Sequence, residues 1–169
     1  FYEAGYRGVC IEPDPGVYEK LTKKRPKDIC LNIGLAGKAY GNAEFFVMNQ
    51  AGLNTFSREE ATALEKNNQG KIMKVLQVPL RTVEEVIDEN FAGKAPVFIN
   101  LDVEGLDEEI LRNFPFHKYR PTIFCVETVN YTDDASSEKR KEIFDIMQSN
   151  GYKAFADTYL NTIFISDKL

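Results

Sequence analysis

The chain has 169 residues (19.2 kDa), and 43% of them are hydrophobic, including 12 Phe and 8 Tyr, which excludes a disordered segment because one domain's worth of apolar surface can be buried. Its 26 acidic and 21 basic residues leave a net charge of −5; the one dense basic run, Lys20 to Lys27, reads as the solvated end of a helix, so nucleic acid is not an expected partner. No apolar run approaches the ~20 residues that span a bilayer, no stretch reads as a signal peptide, and Cys10, Cys30 and Cys125 sit in apolar surroundings as expected of reduced thiols in a cytoplasmic protein.

Short apolar runs alternate with capped helical stretches along the whole chain, the pattern of a single α/β domain around a mostly parallel sheet. Residues 1–8 read as the tail of a helix stopped by Gly8. Val9-Cys10-Ile11 is a short strand followed by Glu12-Pro13-Asp14-Pro15, in which Asp14 can cap a helix and Pro15 suits its first turn, with Val17, Tyr18 and Leu21 facing inward. Ile29 to Ile33 reads as the next strand, broken by Gly34 and Gly37. Phe45 to Val47 and Met73 to Leu80 extend the sheet or form a hairpin. Between them, Ser57 and Glu60 make a capping box for a helix through Leu64, and Thr82 with Glu85 repeats the device for a helix carrying Val83, Val86 and Ile87.

Pro96 to Val103 is the central-strand candidate. It runs into Glu104-Gly105 and a helix bearing Leu106, Ile110 and Leu111. Thr122 to Val126 is another buried strand, ending at Glu127. Ser136 or Ser137 is expected to cap a long helix with Ile143, Phe144 and Met147 inside, closed by Asn150-Gly151. Tyr152 to Ala156 and Thr162 to Ile165 then form an antiparallel edge around a turn at Asp157 to Asn161.

Ligands of open α/β sheets bind outside the carboxyl ends of the strands, and three such ends carry acids here: Glu12, the pair Asp102 and Glu104, and Glu127. Residues 102 and 104 share one side of an extended chain if the strand persists that far. A carboxylate directly after a buried strand, as at Glu12, is where a Rossmann-like fold accepts ribose hydroxyls. Each acid alone is equally explained as a cap or a solvated loop residue. Asp102, Glu104 and Glu127 are divalent-metal ligands by type, but nothing in their spacing selects a metal and none is assigned. His117, the single histidine, suits a surface or packing role. Asn54, Thr55 and Ser57 form a polar loop able to reach a ligand or to serve as turn chemistry.

The block Gly8-Val9-Cys10-Ile11-Glu12-Pro13-Asp14-Pro15 resembles the G-x-x-x-E-P-x-P stretch of FkbM-type S-adenosylmethionine-dependent methyltransferases, and Ile99-Asn100-Leu101-Asp102-Val103-Glu104-Gly105 is similar to their I-D-V-E-G signature. Residues 121–127 resemble the following strand with its terminal glutamate, and Asn161-Thr162-Ile163-Phe164 the closing N-x-x-F. The resemblance implies a Rossmann-like class I sheet of order 3-2-1-4-5-7-6, S-adenosyl-L-methionine as cofactor, and O-methylation of a hydroxyl on a small molecule, sugar or lipid. It makes Glu12, with Pro13 beside it, the ribose acceptor, and puts the loop at Ile33 and Gly34 near the adenine. Asp102 and Glu104 would border the methyl-transfer cleft as candidates for the base, with Asn54, Thr55 and Glu127 on the rim. The family's first strand and glycine-rich turn are expected before Phe1, so the chain is expected to be a fragment of a longer enzyme. A nicotinamide-dependent oxidoreductase fits an acid at residue 12 equally well, although no G-x-G-x-x-G occurs; an inactive Rossmann-like module is the third alternative.

Overall fold

The computed structural model describes residues 1–38, 41–103, 105–131 and 137–168, and the chain folds as two compact units, Phe1–Thr82 and Val83–Leu169. The first opens on a Schellman-type turn: the Tyr6 N–H donates to the Phe1 carbonyl at 3.2 Å and the Gly5 N–H to the Tyr2 carbonyl at 3.0 Å, with Gly5 left-handed at φ 94°. The glycine that turns the chain is thus Gly5 rather than Gly8, and residues 1–8 form no helix.

Strand β1 (Val9–Ile11) pairs in parallel with β2 (Ile29–Leu31), Cys10 lying opposite Cys30. Helix α1 (Pro15–Lys24) connects them. Its free amides at Gly16 and Val17 are taken by the Asp14 carboxylate, Pro15 occupies the first turn, and Lys23 and Lys24 close the last, as the sequence leads one to expect. Asp28 then fastens the return: it accepts from the Gly8 N–H at 3.1 Å and from Arg25 Nε at 2.8 Å.

The apolar run from Ile29 to Ile33 is not one strand. Its first half joins β1, whereas β3 (Gly34–Leu35) joins β5 (Ile72–Arg81), which is also antiparallel to β4 (Asn42–Met48). Gly34 lies opposite Leu80, and a β-carbon there would stand 2.5 Å from Phe56 Cζ and 2.8 Å from Leu80 Cδ2. The glycine is therefore required by close approach of the Phe56 ring, which in turn packs on Phe45 at 4.8 Å between centroids. Helix α2 (Arg58–Lys66) starts where Ser57 Oγ accepts from the Glu60 N–H, and Phe46, Met48 and Ala61 form the core beneath it.

In the second unit, α3 (Val83–Asn90) precedes β6 (Phe98–Leu101), α4 (Asp107–Asn113) and β7 (Ile123–Glu127). A hairpin of β8 (Val129–Tyr131) and β9 (Ser137–Lys139) comes next, then α5 (Lys141–Ser149), β10 (Tyr152–Asp157) and β11 (Asn161–Ser166). The sheet order is β10-β11-β7-β6, with β6 parallel to β7 and the last two strands forming the expected antiparallel edge. Leu101, Phe124, Val126, Ile143, Met147 and Phe164 are buried here, and Phe124 meets Tyr152 edge-on at 5.1 Å.

Two more expectations need correction. The helix carrying Ile143 and Met147 begins at Lys141, with Arg140 in the cap position; Ser137 instead belongs to β9, and Ser136 lies outside the described residues. Strand β6 ends at Leu101, two residues before Val103, because the Val103 N–H turns away to donate to the Asp107 carboxylate at 3.3 Å. Among the described residues no helix is long and apolar enough to cross a membrane.

Replacing Gly34 by Ala should destabilise the protein by about 1–3 kcal/mol, since the added methyl must displace an aromatic ring in a packed site. Urea unfolding measures this, and a Phe56→Leu change in the same chain should return part of the loss.

Candidate functional site

At the carboxyl end of β1 the chain must leave a strand and enter a helix within four residues, two of which, Pro13 and Pro15, have no N–H to donate. Side chains fill the gap. The Glu12 N–H continues the ladder to the Leu31 carbonyl at 3.1 Å, and Glu12 Oε1 accepts from the Asp14 N–H at 2.8 Å. The Asn32 amide donates to the carbonyls of both Glu12 (2.8 Å) and Pro13 (3.1 Å). From the other side, Asn54 Nδ2 donates to Asp14 Oδ2 at 3.3 Å while Asn54 Oδ1 accepts from the Met48 N–H at 2.8 Å. Glu12 is half-buried, and burial pushes its carboxyl up from the usual carboxylate range, opposed by the Asp14 amide and reinforced by the Asp14 charge. Its second carboxylate oxygen has no hydrogen bond among the described residues, which leaves an acceptor held in place and uncommitted.

Of the first unit's sequence-predicted residues, Glu12, Pro13 and Asn54 therefore meet through Asp14 and Asn32. Asn32 was not singled out from the sequence: its position beside Glu12 follows from the parallel register of β1 and β2, across twenty residues of chain. Thr55 is 1% exposed and spends its hydroxyl on α2, donating to Glu60 at 2.6 Å and accepting from the Ser57 N–H, so turn chemistry accounts for it. Ile33 is half-buried between β2 and β3, and the space in front of Gly34 is filled by Phe56 and Leu80.

In the second unit, β6 and β7 run side by side with Leu101 opposite Val126, so Asp102 and Glu127 follow at adjacent carboxyl ends. Asp102 is exposed and Glu127 half-buried; because β6 stops at Leu101, the shared strand face expected for residues 102 and 104 is not formed, and Glu104 itself lies outside the described residues. Among the described residues no group of three or more His, Cys, Asp or Glu side chains could hold a metal ion. His117 is exposed, and the three cysteines are half-buried and free.

Two further residues shape this end of the sheet. Asp107, in the first turn of α4, is fully buried: Oδ1 takes the Val103 N–H, and among the described residues Oδ2 has no hydrogen-bond partner, the Arg140 guanidinium standing 4.0 Å away. Burial raises its pKa against the pull of backbone donors and Arg140, and the Asp102 charge adds to the rise. Lys139 uses its ammonium on Thr128 Oγ1 (3.1 Å), Asp157 Oδ1 (2.9 Å) and the Tyr159 carbonyl (2.7 Å), joining the β8–β9 hairpin to the end of β7 and to the β10–β11 turn.

Comparison with known families identifies the class of the chain. The model of the methyltransferase FkbM domain matches residues 1–154, so the chain belongs to the FkbM methyltransferase family. No curated protein and no solved structure matches it.

A carboxyl whose ionisation is disfavoured in the folded chain loses stability as pH rises above its unfolded value. Asp107→Asn should therefore gain on the wild type as pH rises above the ordinary carboxylate range, read as a growing difference in thermal midpoints. A pH-independent difference would mean that Asp107 ionises without penalty.

Proposed function

We propose that this chain acts as an S-adenosyl-L-methionine-dependent O-methyltransferase on a hydroxyl of a small molecule, sugar or lipid. The observation that carries the proposal is Glu12. Inside the family match, a half-buried carboxylate at a strand's carboxyl end has one oxygen fixed by the Asp14 amide and the other uncommitted, an acceptor suited to a ribose hydroxyl donor. Parallel β1 and β2 in the first unit, and the order β6-β7-β11-β10 in the second, support a class I methyltransferase sheet.

When bound, the cofactor supplies a methyl group on a sulfonium, an electrophile that needs no metal. The protein's own contribution is to hold that ligand and the acceptor in line and to take the acceptor's proton. Glu12, with Pro13 fixing the chain beside it, would grip the ribose. Ile33 and Gly34 would stand near the adenine through their main chain, since the space at Gly34 is occupied by Phe56. Asp102, exposed at the end of β6, would be the base that accepts the hydroxyl proton; Glu104 is proposed beside it on the motif alone. Asn54 would line the rim beside Glu12, and Glu127 the rim beside Asp102; no ligand role is proposed for Thr55.

Calorimetric titration of S-adenosylhomocysteine, with a reduced nicotinamide as control, tests the cofactor. Glu12→Ala should weaken binding by roughly tenfold or more, the worth of a hydrogen-bonded charged acceptor. In the wild type, affinity should fall on acidification, and the decline should begin at a higher pH than an ordinary glutamate would give, because burial raises the Glu12 pKa. Binding of the nicotinamide in preference would reverse the assignment.

Asp102→Asn in the full-length protein should lower methyl turnover by about 10²–10⁴-fold while leaving S-adenosylhomocysteine affinity near that of wild type. Full turnover in that variant would move the base elsewhere.

A further inference from the structure

We infer that Asn32 is a positioning residue for cofactor recognition, acting through Glu12. The inference rests on Glu12 being the ribose acceptor and adds what keeps it in place. In an extended strand, successive carbonyls point to opposite sides; here the carbonyls of Glu12 and Pro13 both face one donor, the Asn32 side-chain amide, at 2.8 and 3.1 Å. One NH₂ group therefore defines the bend by which the chain leaves β1. The same stretch of β2 also receives the Glu12 N–H, at the Leu31 carbonyl, so that both backbone polar groups of Glu12 are bound to residues 31 and 32.

The consequence for the carboxylate is specific. Glu12 Oε1 is tied to the Asp14 N–H, one residue beyond the bend, so the side chain's direction depends on the bend being held. Asn54 secures Asp14 from the opposite side but touches neither carbonyl of residues 12 and 13. Without Asn32, two half-buried carbonyls lose their donor and the Glu12–Asp14 segment can rotate, taking the acceptor oxygen out of line. A carboxylate that is free to rotate still carries its charge; what it loses is the ability to distinguish a ligand with ribose hydroxyls from one without them. Asn32 itself needs no contact with the ligand.

The test compares S-adenosylhomocysteine with its 2′,3′-dideoxy analogue, by calorimetry on the full-length protein. Wild type should prefer the hydroxylated ligand by roughly tenfold or more. Asn32→Ala, and Asn32→Asp, which keeps the shape but turns an acceptor toward the two carbonyls, should bring that ratio close to one while changing affinity for the dideoxy ligand less than threefold. Asn32→Ser, which keeps one donor, should retain part of the preference, and it carries the comparison should the other two variants not fold. Adding Asn32→Ala to Glu12→Ala should cost no further preference. An unchanged ratio in the Asn32 variants, or an equal loss for both ligands, would overturn the inference while leaving Glu12 as the acceptor. A wild-type protein with no preference between the ligands would overturn the ribose assignment, and the role of Asn32 with it.

Discussion

The constraint on which the first unit depends is the shortage of backbone donors where β1 gives way to α1. Two of the four residues from Glu12 to Pro15 are prolines, and a turn so short cannot satisfy its own polar groups. The protein meets the shortage with the Asn32 side-chain amide, which donates to the carbonyls of Glu12 and Pro13, while the Glu12 carboxylate accepts the Asp14 N–H and Asn54, from the loop after β4, donates to the Asp14 carboxylate. The same bonds that make the turn possible also hold a carboxylate still. Binding capacity and local stability are thus one arrangement rather than two, and a change intended for either affects both.

The second unit solves a different problem. Its parallel pair β6–β7 brings acids to adjacent strand ends, where like charges resist being crowded. There β6 ends at Leu101 and the Val103 amide donates to the Asp107 carboxylate. The cost is a fully buried carboxyl with one oxygen unpartnered among the described residues, set 4.0 Å from a guanidinium. Such a group stiffens the turn that follows β6 when its bond to Val103 is made and gains nothing from solvent when it is not.

Much of this was legible in the sequence where a local rule applied. Asp14 before Pro15, Ser57 before Glu60, and the two closing strands around residues 157–161 are set by capping and turn chemistry that acts over three or four residues. Where contacts reach across the chain, the signal fades. Nothing near Asn32 announces that it serves residues 12 and 13, since that depends on the register of two parallel strands. Asp107 looks like any acid in a first turn until Val103 is seen to need it. That the strand begun at Ile29 stops at Leu31 while Gly34 and Leu35 join a different sheet likewise depends on distant partners, Phe56 and Leu80 against Gly34, and the β8–β9 hairpin is hidden in a polar stretch that reads more readily as a helix start.

Lys139 has a consequence of its own. An ammonium carries three hydrogens, and here each has an acceptor from a different part of the chain: residue 128 after β7, residue 157 at the end of β10 and residue 159 in the following turn. The amine behaves as a three-way pin. Its donors are saturated, so it has none to spare for a passing anion, and truncating this one side chain would remove three bonds together, a leverage that no single main-chain bond in the hairpin possesses.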